Sequence, residues 1–158
     1  MVMANRIRVG VLIFKDDKIL LVRHVNPKDN YEFYVPPGGG LKDDETLFDC
    51  AVRETWEETG LRIKPSHIVY LRQFIFKEFN ENNIDIYLVA EIVSGSLTTK
   101  NMHGKGNDEH FIKDLKFFDN KEIQKINVFP KILQHDMWID RAKGFQTMKF
   151  IGVEHDKE

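Results

Sequence analysis

Gly39-Gly40-Leu41-Lys42-Asp43-Asp44-Glu45-Thr46-Leu47-Phe48-Asp49-Cys50-Ala51-Val52-Arg53-Glu54-Thr55-Trp56-Glu57-Glu58-Thr59-Gly60-Leu61 is the most informative run of this 158-residue chain. Its second half reads as a helix. Asp43, Asp44 and Glu45 place negative charge at the start, where the helix dipole favours it. Phe48, Val52 and Trp56 recur every fourth residue, with Leu47 and Ala51 beside them, and predict the stripe that faces a core. Gly60 suits a left-handed terminus. At 100° per residue, Glu57 and Glu58 lie roughly 60° and 40° to either side of Glu54, so three carboxylates share one face. Like charges at this spacing cost a few tenths of a kcal/mol. The expectation is a rigid helix that holds its glutamates outward.

Upstream, Pro36-Pro37-Gly38-Gly39-Gly40 reads as an irregular loop, rigid and then permissive. Its carbonyls could ligate a metal, and the N–H groups of Gly38 and Gly40 could face a phosphate. Hard oxygen donors on one helix face suit Mg²⁺, with Mn²⁺ as a substitute. The combined chemistry is metal-assisted attack of water on phosphorus.

The spacing then becomes specific. Gly39, Glu45, Arg53, Glu54, Glu57, Glu58 and Gly60 match seven fixed letters of the Nudix box, at a chance level on the order of 10⁻⁸ per window. The chain therefore resembles the Nudix hydrolases. The resemblance implies Glu54 and Glu58 as main metal ligands, Glu57 completing the carboxylate set, the Gly39 carbonyl as backbone ligand, and Arg53 orienting a glutamate. It also implies phosphate binding by Arg23 and a further glutamate, Glu109, as ligand or general base in rivalry with Glu54. Glu45 points about 180° from Glu54 if helical, which implies an indirect role. Thr55, Lys42 and Asp44 depart from common family residues, and none of them removes a needed carboxylate.

Working outward, Ile7–Phe14 and Ile19–His24 read as a hairpin turning at Asp16-Asp17. Phe33–Val35, Ile68–Phe76, Ile84–Val93, Leu115–Phe118 and Phe145–Val153 read as strands, and 119–126 and 130–143 as helices. Strands alternating with helices after a hairpin predict an α/β fold, a Nudix-like α/β/α sandwich with a mixed β-sheet, as one domain over 1–158. Lys100 to His110 reads as a polar loop, expected to close over substrate and carry Glu109 inward.

Composition bounds the rest. Hydrophobic residues make up 42% and charged residues 30%, with a net charge of -2. That excludes a basic field for long nucleic acid, and no run is long enough for a membrane span. One cysteine, Cys50, excludes an intrachain disulfide, fits a cytoplasmic protein and reads as a core thiol. Tyr31, Phe33, Phe76 and Phe79 read as packing or as base-stacking candidates. The expected substrate is a small nucleotide or nucleotide derivative, a nucleoside diphosphate linked to some group X, cleaved at a phosphoanhydride. A homodimer is compatible with this. The alternative is a Nudix-fold module that binds a nucleotide without hydrolysis. Two family sub-signatures, a downstream proline between Pro65 and Pro130 and a Ser-Gln-Pro-Trp-Pro-Phe run, are missing, which favours a nucleoside triphosphate or an unassigned substrate.

Overall fold

A computed structural model describes residues 2–102 and 111–156. β1 (Ala4–Lys15) and β2 (Lys18–Val25) form the expected hairpin, with Asp16 at the turn in a left-handed conformation, φ 55°. The two strands pair only at Phe14–Ile19 and Lys15–Lys18, then part. β2 goes on to pair with β3 (Glu32–Val35) and β7 (Ile112–Phe118). The edge of β1 that β2 leaves is taken by β4 (Gly38–Gly40), in the register Arg8–Gly40, Val9–Gly39 and Gly10–Gly38.

On its other edge β1 runs parallel to β6 (Glu81–Gly95), which pairs antiparallel with β5 (Leu61–Phe76), which pairs parallel with β8 (Lys149–His155). The sheet is mixed, as expected. Helix α1 (Leu47–Thr59) covers one face; the short α2 (Asn120–Ile123) and α3 (Asp136–Ala142) cover the other. The alternation of β1 explains this. Val9, Val11 and Ile13 pack with Cys50 and Ala51 of α1, whereas Leu12 packs with Ile123, Leu133 and Met137 on the opposite side. One fully buried Leu is worth roughly 1.5–3 kcal/mol, against a few tenths for glutamate repulsion along α1, so packing wins. No helix among the described residues is long and apolar enough to cross a membrane.

Three expectations need correction. The stretch expected as irregular loop contains β4. Pro37 accepts a hydrogen bond from Val11 N–H at 2.8 Å, and the glycines let the strand press on β1. A β-carbon on Gly38 would stand 2.0 Å from the Val9 carbonyl oxygen, so glycine here marks a close backbone approach and not a break. The stripe Phe48, Val52 and Trp56 is not the buried face of α1. Phe48 is exposed and the other two half-buried, while Cys50, Ala51, Thr55 and Thr59 are buried. Small residues let the helix sit close to the sheet, and Trp56 lies at the rim beneath Arg62, 4.8 Å from its ring centre. Finally, the helix expected over 130–143 breaks at His135 (φ −129°, ψ −105°) into a 3-10 turn, Lys131–Gln134, and α3.

Candidate active site

Helix α1 begins at Leu47, after the whole of the acidic run Asp43, Asp44 and Glu45. Thr46 is the N-cap: its hydroxyl accepts from Asp49 N–H and the Asp49 carboxylate accepts from Thr46 N–H, both at 3.1 Å. Glu45 therefore lies before the helix, and its contact with the site runs through Arg53. Its carboxylate accepts Lys42 N–H at 3.0 Å and folds back onto Arg53, receiving Nε and, at 2.9 Å, Nη2. At the other end Gly60 adopts φ 77° and donates to the Trp56 carbonyl at 3.0 Å. A β-carbon there would lie 2.5 Å from the Ser96 oxygen, so both the dihedral and the space require glycine.

The glutamates do not face solvent. Glu57 is 8% and Glu58 3% exposed, because this side of α1 lies against β4. Glu58 Oε1 accepts Gly38 N–H at 2.9 Å. Gly39 turns its α-carbon to Glu54: a β-carbon would meet Oε1 at 2.5 Å and Oε2 at 2.7 Å. Arg53 ties the group together. Nη1 donates to Glu54 at 2.7 Å and to Glu57 at 3.3 Å, and Nη2 donates to the Gly40 carbonyl at 3.2 Å. One guanidinium thus faces three glutamates, which leaves a formal excess of negative charge. Its hydrogen bonds to Glu45 hold that carboxyl down at about 2 and raise the Arg53 pKa further.

Cys50 is fully buried, as expected. Its thiol lies 3.8 and 3.6 Å from the Gly39 and Gly40 carbonyl oxygens, and burial pushes its pKa up to about 12, so it stays a neutral, unreactive thiol. Among the described residues no group of three or more His, Cys, Asp or Glu side chains is placed to hold a metal ion. The Glu54 and Glu58 carboxylates and the β4 backbone against them are hard oxygen donors, the type that suits Mg²⁺, an ion that keeps most of its waters and takes only one or two carboxylates.

Arg23, on β2, is committed to an exposed ion pair with Glu32 at 2.7 Å, which a phosphate would have to displace. That hydrogen bond raises its pKa. Glu109, and most of the polar loop that carries it, lie outside the described residues. Phe33 stacks on His24 at 5.1 Å and Phe76 packs on Phe79 at 4.5 Å. Sequence reasoning passed over Asn83, Asp85 and Arg72, three buried polar residues on β5 and β6. Alternating polar residues in a strand read as its solvent face, so the only signal was their spacing.

A model of the NUDIX domain matches residues 4–139. The chain is 36% identical over 70 residues to the phosphatase NudJ of Escherichia coli K12, a match covering 44% of each protein. The chain thus spans less than half the length of that curated relative. Among solved structures, a NUDIX hydrolase from Nitrosomonas europaea superposes with a TM-score of 0.72 at 17% identity, over 99% of this chain and 82% of that one. An ADP-ribose pyrophosphatase from Streptococcus suis superposes with a TM-score of 0.62 at 18% identity, over 96% and 98%. At these identities the superpositions speak for the fold.

Proposed function

The chain belongs to the NUDIX domain family, and from that premise we propose that it is a metal-dependent hydrolase cleaving a phosphoanhydride bond of a small nucleotide, a nucleoside diphosphate linked to a group X. The observation that carries this reading is the contact of α1 with β4. Glu54 lies against the Gly39 α-carbon, Glu58 is held by Gly38 N–H, and Arg53 joins Glu54, Glu57 and the Gly40 carbonyl. The 36% identity to a phosphatase supports hydrolysis at phosphorus.

Glu54, Glu57, Glu58 and the Gly39 carbonyl would hold Mg²⁺ or Mn²⁺. When bound, such an ion neutralises phosphate charge and acidifies water. The chain's own residues do the rest. Arg53 fixes the carboxylate of Glu54, which takes the proton of the attacking water, a role for which Glu109 is the rival. The Gly40 backbone binds the phosphates, joined by Arg23 once a phosphate displaces Glu32, whereas the Gly38 N–H stays with Glu58. Glu45 positions Arg53, which keeps the guanidinium from swinging away.

The test is turnover of nucleoside triphosphates, nucleotide sugars and dinucleotides with Mg²⁺, with phosphate and pyrophosphate measured and the nucleotide products identified. Release of a nucleoside monophosphate or diphosphate is expected. Binding without turnover across the panel supports a non-hydrolysing module instead.

A further inference from the structure

On the sheet face turned away from α1, residues of four strands stand in register at one level. Gly40 of β4 lies opposite Arg8 of β1, Arg8 beside Asp85 of β6, and Asp85 opposite Arg72 of β5. Residues paired in this way share a face. Arg72 donates to Asp85 Oδ2 through Nε at 3.1 Å and Nη2 at 2.6 Å, and to Glu154 through Nη1 at 2.9 Å. The other oxygen of Asp85 receives no hydrogen bond from the described residues, and the Nε of Arg8 stands 3.7 Å from it. One pleat along β6, on the same face, Asn83 Oδ1 also receives none. Both residues are deeply buried, Asn83 at 4% and Asp85 at 6% exposure.

Two neighbouring buried acceptors without a hydrogen bond, one of them held only by the Arg8 ion pair, are unusual, because folding normally pairs such atoms. Neutralising Arg72 explains Asp85 Oδ2 and nothing of Asn83. The surroundings narrow what could pair with them. A phosphate is repelled by the Asp85 carboxylate, and a metal ion by the guanidinium groups of Arg8 and Arg72. Neutral N–H donors satisfy both acceptors without either conflict. The row begins one strand from the glycine strand whose opposite face bears Glu54: the Arg6 guanidinium stands 3.1 Å from where a Gly40 β-carbon would be. The Arg6 and Arg8 side chains, 43% and 40% exposed, flank the two covered acceptors from β1, so a ligand reaches them by displacing these side chains.

We propose that Asn83 and Asp85 read the base of the substrate, taking a guanine-type edge in which a ring N–H adjoins an exocyclic amino group. This rests on the nucleotide-hydrolase reading above. Asp85 accepts the ring N–H and Asn83 the amino group. A uracil edge, which flanks its N–H with carbonyls, meets these acceptors with like polarity, and hypoxanthine lacks the amino group.

Calorimetric titration of the whole chain with GMP, IMP and UMP tests this without turnover. GMP should bind at least about tenfold more tightly than IMP or UMP, since a site built for an N–H rejects analogues lacking it. Asn83→Ala, which leaves the Arg72–Asp85 pair intact, should erase the margin of GMP over IMP and leave IMP unchanged. Asp85→Asn should weaken GMP and IMP alike, and Asn83→Ala carries the test if that variant does not fold. Equal affinities, no GMP binding, or unchanged GMP binding by Asn83→Ala overturns the proposal and means that water fills the acceptors. None of these results touches the hydrolase reading, which fails only when the turnover panel is blank.

Discussion

Gly39 and Glu54 stand so close that no side chain fits between them: a β-carbon on Gly39 would lie 2.5 Å from the Glu54 carboxylate oxygen. The obstruction is the far end of a flexible side chain, so the chain can accommodate alanine by moving Glu54. Gly39→Ala should therefore leave the thermal midpoint within a few degrees and lower kcat by about 10²-fold or more, because misplacement of about 1 Å at a reacting group can cost that much. Equal kcat in the variant would show that the position of Glu54 is irrelevant to turnover.

Glu58→Gln removes charge and keeps an oxygen for Gly38 N–H, the bond seen at 2.9 Å. Activity should fall nearly to background, while stability holds or rises slightly as repulsion with Glu54 is relieved. A kcat within about threefold of wild type at saturating Mg²⁺ removes Glu58 from the ligand set.

Glu45 gives a pH-dependent test. Its folded pKa is depressed from 4.5 to about 2 by Arg53. A depressed carboxyl adds stability above its unfolded pKa and loses it as pH falls through the folded value. Compared with Glu45→Gln, the wild type should be more stable by up to about 3 kcal/mol at pH 7, and the gap should shrink steadily from about pH 4.5 to pH 2. Denaturant titrations of both proteins across that window decide it. A gap that does not change with pH means the pair is not what holds Glu45 ionised.

Turnover should vanish in EDTA and return with Mg²⁺ or Mn²⁺, whereas Ca²⁺, with longer and looser coordination, should restore little. Full activity in EDTA contradicts the metal reading outright.

The sequence revealed what local chemistry determines: the turn at Asp16, the helix carrying Arg53 and Glu54, and the left-handed end at Gly60. It misled where tertiary contact decides. Three glycines have no strand propensity, yet Gly38–Gly40 pairs with β1 because the absence of side chains permits the approach. Phe48 is apolar and exposed while Glu58 is charged and buried, because α1 meets the sheet through its small residues and β4 covers its acids. Glu45 lies one residue before the Thr46 cap, a boundary that the capping geometry fixes and the acidic run alone does not. The Asn83 and Asp85 row was invisible for a similar reason, since only the neighbouring strands turn a polar alternation into a buried one.

The parallel partnership of β1 with β6 also governs when the site can come into being. Hairpin contacts such as Phe14 with Ile19 close short loops and form early, whereas Ala4 meets Glu81 and Ile13 meets Ala90 only after the intervening chain, α1 included, has been brought round. β4 docks on that same β1 strand, on the edge opposite β6. During refolding, α1 can therefore acquire helical structure well before its glutamates have a wall to face. The grouping of Glu54, Glu58 and the glycine carbonyls belongs to the last, non-local stage of assembly, when the two sides of β1 are filled.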